Sequence, residues 1–199
     1  MNEHSQNDNS TALAHSISDE RQFLGLISND DMMMRILQTV AQLNLPMWCI
    51  CAGFVKNKVW DYLHGYHTAT APSDIDVMFY ETGNNLAADQ ALQALQELLP
   101  QLRWDVANMA YAHEENDDQP YASLEDALSK LPETATAVGV RLDGDELKVI
   151  APLGIEDLLA GIIRPTPIFY KFPSRKCIIV SRLTSKHILE KWPLLTVVI

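Results

Sequence analysis

The sequence predicts an α+β (α/β mixed) domain: a small mixed β-sheet flanked by helices, with one β-hairpin and a C-terminal helical extension. Three observations lead there. Short strand-like runs alternate with segments of helical period, the signature of sheet and helix layers packed together. The stretch D-G-D between AVGVRL and ELKVIAP is a strong hairpin signal, so at least one strand pair is antiparallel. Neither G-x-G-x-x-G after an early strand nor a Walker A pattern occurs, which disfavours the doubly wound nucleotide-binding folds.

Residues 1–16, rich in Asn, Ser, Gln and Asp, are expected to form a disordered tail, leaving 17–199 as the domain. A first helix, capped by Ser18, carries Phe23, Leu24 and Ile27. A second, over 31–43, sets Met33, Ile36, Leu37 and Val40 on one stripe. Pro46 ends it. WCICAG reads as a short buried strand closed by Gly53, and FVKNKVWDYLHG as a helix stopping at Gly65. After the loop HTATAPS come the strand DIDVMFY, a helix over 86–99 and a strand over 102–107. Residues 114–120 form a charged surface loop, and Ser123 caps a short helix over 123–130. Beyond the hairpin, GIEDLLAGII is a helix, PTPIFYKFP extended, Ser181–Glu190 a helix, and WPLLTVVI an apolar segment that must pack.

The chain has 199 residues, 47% hydrophobic and 21% charged, an ordinary globular composition. Its formal net charge of −11 gives a field that repels nucleic acid, so extended nucleic-acid binding is not expected; a local basic patch could still receive phosphates, and any anionic substrate must be held by local donors or bound cations. Cys49, Cys51 and Cys177 read as free thiols, in keeping with a reducing, cytoplasmic compartment. The first twenty residues lack the basic and apolar regions of a signal peptide. The longest nearly apolar run, LPMWCICAGFV, has 11 residues and is too short to span a bilayer, so no membrane association is expected.

The chemistry concentrates at SDIDVMFY. A strand has period two, so Asp74 and Asp76 share one face while Ile75, Val77 and Phe79 take the other. Two like charges on a half-buried strand repel unless a cation joins them. Asp105, in the next strand, supplies a third carboxylate if the strands are neighbours. Three carboxylates at a sheet edge suit Mg²⁺ (or Mn²⁺) completed by substrate phosphates, and two ions sharing a bridging Asp would serve in-line displacement. Upstream, the turn at Ala52-Gly53 opens a helix whose N–H groups could receive phosphate, with Gly53 permitting close approach. Lys56 and Lys58 in the first turns, unfavourable for a helix start, make sense facing an anion. Asn57 is a candidate for substrate hydrogen bonding or local capping, and Arg141 for phosphate contact or a surface ion pair. Arg175, Lys176, Arg182 and Lys186 make a basic cluster facing acceptor or nucleotide phosphates, or solvent.

AGFVKNKVWDYLHG, SDIDVMFYE, WDVAN, ETATAVGVRL, IAPLGIEDL and SRLTSKHILEKWP together resemble the bacterial nucleotidyltransferase-like family of the DNA polymerase beta-like superfamily, over about residues 31–199. The resemblance implies a minimal nucleotidyltransferase fold in which Gly53 binds triphosphate and Asp74, Asp76 and Asp105 bind two Mg²⁺. The chain departs from the family pattern at VANMAYAH, where Ala107, Met109 and Tyr111 replace Lys, Gln and Arg. The implied reaction is transfer of a nucleoside monophosphate from an NTP to an unknown hydroxyl acceptor, with pyrophosphate leaving. A phosphohydrolase using the same carboxylates, and a degenerate nucleotide-binding or protein-interaction module, are the alternatives.

Overall fold

The computed structural model describes residues 12–116 and 118–199. Helices α1 (Glu20–Ser28) and α2 (Asp31–Ala41) precede strand β1 (Cys49–Cys51), helix α3 (Gly53–Leu63) and strand β2 (Ile75–Phe79). Helix α4 (Ala87–Leu98), strand β3 (Trp104–Asn108) and helix α5 (Leu124–Leu128) follow. Strands β4 (Gly139–Asp143) and β5 (Glu146–Ile150) form the expected hairpin. Then come α6 (Glu156–Leu159), β6 (Ile162–Ile163), α7 (Pro167–Lys171), α8 (Pro173–Ser185), α9 (Ile188–Lys191) and β7 (Thr196–Val197).

The main sheet is mixed, in the order β3-β2-β1-β4-β5. Only β2 and β3 run parallel, which requires a crossover, and α4 is that crossover. One face of the sheet meets the principal core, where Ile50, Val77, Phe79 and Val140 pack with Trp60 and Leu95. The other face carries a smaller cluster of Cys49, Cys51, Met109, Tyr121, Leu124 and Leu128. The alternation along β2 is as its period demands: Ile75, Val77 and Phe79 are buried, Asp76 and Met78 half-buried. Gly139 lies against Cys49 so closely that an added Cβ would stand 2.6 Å from its Sγ, so close strand packing excludes any side chain there.

Several expectations need correction. Asp19, not Ser18, caps α1, its carboxylate accepting the Gln22 N–H at 2.8 Å. Residues 12–16 are not a free tail: the Ala14 N–H donates to the Leu63 carbonyl at 2.8 Å and Leu13 packs on the core. Residues 1–11 lie outside the described residues. PTPIFYKFP contains a helix, because Pro167 stands in the first turn of α7, where no N–H is missed. The last helix starts at Pro173 rather than Ser181 and breaks at His187, which is left-handed at φ 52°. GIEDLLAGII is helical only to Leu159; past Gly161, φ +66°, it becomes β6 and pairs in parallel with β7, which houses the apolar terminus.

Candidate active site

The parallel register sets Asp76 directly beside Asp105. Neighbouring positions of paired strands project to the same face, so the two carboxylates emerge together, with Asp74 one step before β2. All three line one cleft of about 490 Å³, together with Gly53, Lys56 and Asn57. Burial and the charges of Asp74 and Asp105 push the Asp76 carboxyl up to about 6, while Lys186 and the Gly53 N–H draw it down. Asp105 is raised as well, by desolvation and then by Asp74 and Glu115. Asp74 accepts a hydrogen bond from the Ser73 hydroxyl at 2.6 Å.

Ala52, not Gly53, holds the left-handed conformation, at φ 51° and ψ −122°. What Gly53 supplies is room: a Cβ there would sit 3.1 Å from the Pro72 Cβ, on the loop that delivers Ser73 and Asp74. Its N–H helps draw the Asp76 carboxyl back down. The turn therefore buttresses the acids.

Lys56 is 92% buried, being 8% exposed. Its ammonium lies over two rings, 4.3 Å from the Trp60 centroid and 4.5 Å from that of Trp192, and donates to Asn57 Oδ1 at 3.0 Å. Desolvation lowers it to about 8, against the help of Glu133 and with Lys186, Arg182 and Lys191 adding to the fall. Asn57 also donates to the Thr70 carbonyl at 3.1 Å, so it ties α3 to the loop before the aspartates. Lys58 turns away and pairs with Asp30, the cap of α2, at 2.7 Å.

Arg141 is not brought to this cleft. Since β4 is antiparallel to β1 with Ile50 opposite Val140, the chain leaves the aspartates as it passes Arg141. The guanidinium lies 3.7 Å from Asp143 and lines a separate cavity with Trp48 and Gln38. The basic cluster is likewise divided. Arg182 and Lys186 line the cleft, whereas Arg175 pairs with Asp118 and Lys176 lies over the Tyr170 ring.

Sequence reasoning missed Glu133 and Lys191, both on the cleft wall. Glu133 is 1% exposed and takes the Arg182 Nε–H at 2.8 Å; only a partner 49 residues away explains so buried an acid, and nothing local announces it. The departures at VANMAYAH have structural uses: Met109 fills the smaller core, and the Tyr111 hydroxyl accepts the Gly83 N–H at 3.0 Å.

Among the described residues, no three His, Cys, Asp or Glu side chains gather tightly enough to cage an ion by themselves. The three aspartates line an open cleft instead. An all-oxygen, anionic and incomplete donor set suits Mg²⁺ or Mn²⁺, which take few protein carboxylates and complete their shells with water and phosphate. It does not suit an ion that prefers thiolate or imidazole. No described helix is long and apolar enough to cross a membrane, and all three cysteines are free thiols.

A family model described as nucleotidyltransferase matches residues 38–197. Among solved structures, one whose NMR structure reveals a CCA-adding enzyme head domain is 31% identical, with a TM-score of 0.79, covering 92% of this chain and 97% of that one. A CCA-adding enzyme in complex with CTP matches at 16% identity and TM-score 0.53, over 85% of this chain and 47% of that one. The Thermotoga maritima CCA-adding enzyme complexed with tRNA matches at 19% and 0.51, over 89% and 45%. The chain thus spans about half the length of these two, and at such identity the likeness is one of fold. No curated protein matches. The expectation against extended nucleic-acid contact has no support here: despite the net charge of −11, Lys56, Arg182, Lys186 and Lys191 all line the cleft. With a family model spanning most of the chain and a head domain of matching fold and extent, the protein belongs to the nucleotidyltransferase family.

Proposed function

We propose that the protein is a metal-dependent nucleotidyltransferase, moving a nucleoside monophosphate from an NTP to a hydroxyl acceptor. The observation that carries this reading is the register of Asp76 beside Asp105, with Asp74 next to them, in a cleft that Lys56, Arg182, Lys186 and Lys191 also line. The likeness in fold to a CCA-adding enzyme in complex with CTP supports a nucleoside triphosphate as donor.

The acceptor oxygen bonds to the α-phosphorus as its proton leaves, and the bond from that phosphorus to the β-bridging oxygen breaks, releasing pyrophosphate. Asp74, Asp76 and Asp105 would hold Mg²⁺ or Mn²⁺, which would supply charge neutralisation of the phosphates and of the attacking oxygen. Asp105, the most open of the three and raised above the ordinary carboxylate range, receives the acceptor proton. Asn57 and Gly53 hold the loop and carboxylate geometry, so catalysis is mainly positioning and electrostatics.

The test incubates labelled NTPs and Mg²⁺ or Mn²⁺ with cell extract, comparing the native protein with Asp74→Ala. Label transferred to a macromolecule or metabolite by the native protein and lost in the variant is expected. Pyrophosphate or phosphate release from NTP alone, with no labelled product, would instead make the protein a hydrolase. Nucleotide binding without either reaction would make it a binding module.

A further inference from the structure

A second cavity lies behind the loop that delivers the aspartates. Phe54, Asn57, Lys58 and Asp61, spaced three and four apart, share one side of α3, and that side looks onto the first turns of α2. Between the two helices is a space of about 490 Å³, bounded by residues 69–75 and 101–103. Small-ligand sites fall within about 300–1,000 Å³. Residues 71–74 line the aspartate cleft as well, so this one segment parts the two spaces.

The lining is largely apolar. Met33, Ile36 and Phe54 are buried in it, Pro72 and Leu102 are half-buried, and Met32 lines it while 53% exposed. Most of its polar groups are already engaged. Asp30 accepts from Lys58 at 2.7 Å and from the N–H groups of Met32 and Met33. Asp61 takes the Thr70 N–H and hydroxyl, at 2.6 and 2.8 Å, and the Trp192 indole N–H. Asn57 donates to the Thr70 carbonyl, and the Ser73 hydroxyl to Asp74. Arg103 differs: among the described residues no carboxylate lies within ion-pair distance of it. Its backbone is fixed, because its carbonyl accepts the Ile75 N–H at 2.8 Å, which sets it just before β3 and beside the end of the shared segment.

An apolar space with one unpaired guanidinium suits a small molecule that carries an anion on an apolar body. Asp61 and Asp74 line the same space, so a dianion such as a phosphate monoester would meet like charge. A single carboxylate is matched by one guanidinium. We propose that this cavity binds an apolar monocarboxylate, its tail among Met32, Met33, Ile36, Phe54 and Leu102 and its carboxylate on Arg103. The occupant rests against residues 71–74, the segment that presents Asp74 to the cleft. The site is independent of the reaction the cleft performs.

The test titrates the full chain in EDTA with decanoate, 1-decanol and decylammonium, each below its aggregation threshold, by calorimetry. Decanoate should bind saturably and about tenfold more tightly than decanol. Arg103→Gln should erase that difference by lowering decanoate affinity alone. Ala69→Trp, at an exposed lining position, should weaken both ligands. Ile178→Ser/Val180→Ser, which removes exposed apolar surface from α8, should bind as the native protein does. Thermal melts establish that each variant is folded. Hydrogen exchange then locates the ligand: decanoate should slow the amides of residues 69–75 and leave those of α8 unchanged. The proposal is overturned by absence of binding, by decylammonium binding as tightly as decanoate, or by Arg103→Gln weakening decanol and decanoate equally. Protection of α8 in place of residues 69–75 overturns it too.

Discussion

Asp76→Asn should make the metal-free protein more stable while abolishing its response to metal. In the native chain the Asp76 carboxyl is pushed from 3.8 up to about 6, first by burial and then by Asp74 and Asp105. Its folded form therefore binds a proton more tightly than its unfolded form. Stability from this group is full below about pH 4, falls as the pH rises through the interval, and stays low above about 6. At about 1.36 kcal/mol per tenfold change, the interval sets a ceiling of ~3 kcal/mol on the cost of ionised Asp76 at pH 8. Partial exposure of the carboxylate brings the expected cost to about 1–2 kcal/mol. Asparagine keeps the shape and an oxygen for the Gly53 N–H but carries no charge. Urea denaturation in EDTA should find the variant about 1–2 kcal/mol more stable than the native protein at pH 8, with the difference nearly gone at pH 4. Mn²⁺ at a hundredfold excess over its dissociation constant should then stabilise the native protein by about 2.7 kcal/mol and leave the variant unmoved. A variant equally or less stable at pH 8 in EDTA, or one that responds fully to Mn²⁺, would refute the reasoning.

Arg182→Met strips the buried Glu133 carboxylate of its partner and should cost about 3 kcal/mol in chemical denaturation, while adding Glu133→Gln should recover most of the loss. Gly139→Ala places a Cβ against Cys49 Sγ and should cost about 1–3 kcal/mol by the same assay; pairing it with Cys49→Ala, which removes that sulfur, should return part of it. Ala52→Gly relieves a left-handed alanine between β1 and α3 and should raise stability by about 1 kcal/mol in thermal melts, whereas Ala52→Val should lower it.

The legible part of this protein was local. The period of two in SDIDVMFY puts Asp74 and Asp76 on one face without knowledge of any other strand, because backbone geometry alone decides it. The hairpin at D-G-D, the helix stripes of α2 and α3 and the Ser123 cap were legible for the same reason: each depends on residues within a few positions. The helical start of α7 was misread because a proline in the first turn looks like a breaker until the turn that follows is seen. At the turn before α3, a pattern of two small residues does not say which one bends and which one yields space; Ala52 bends and Gly53 makes room for Pro72.

Long-range pairing decided the rest. That Asp105 stands beside Asp76 depends on β2 and β3 being parallel neighbours in register, a choice no strand makes alone. Arg141 had two readings in its strand, phosphate contact or a surface ion pair, and the antiparallel course of β4 carries it away from the aspartates to lie beside Asp143. Glu133 and Arg182, 49 residues apart, each look solvated in the sequence and become a buried pair only when the C-terminal segment folds back across α3. Carboxylate chemistry could be read from alternation along one strand; the cations that line the same cleft came together only on closure of the chain, because charges distant in sequence acquire a common field only when packing holds them near one another.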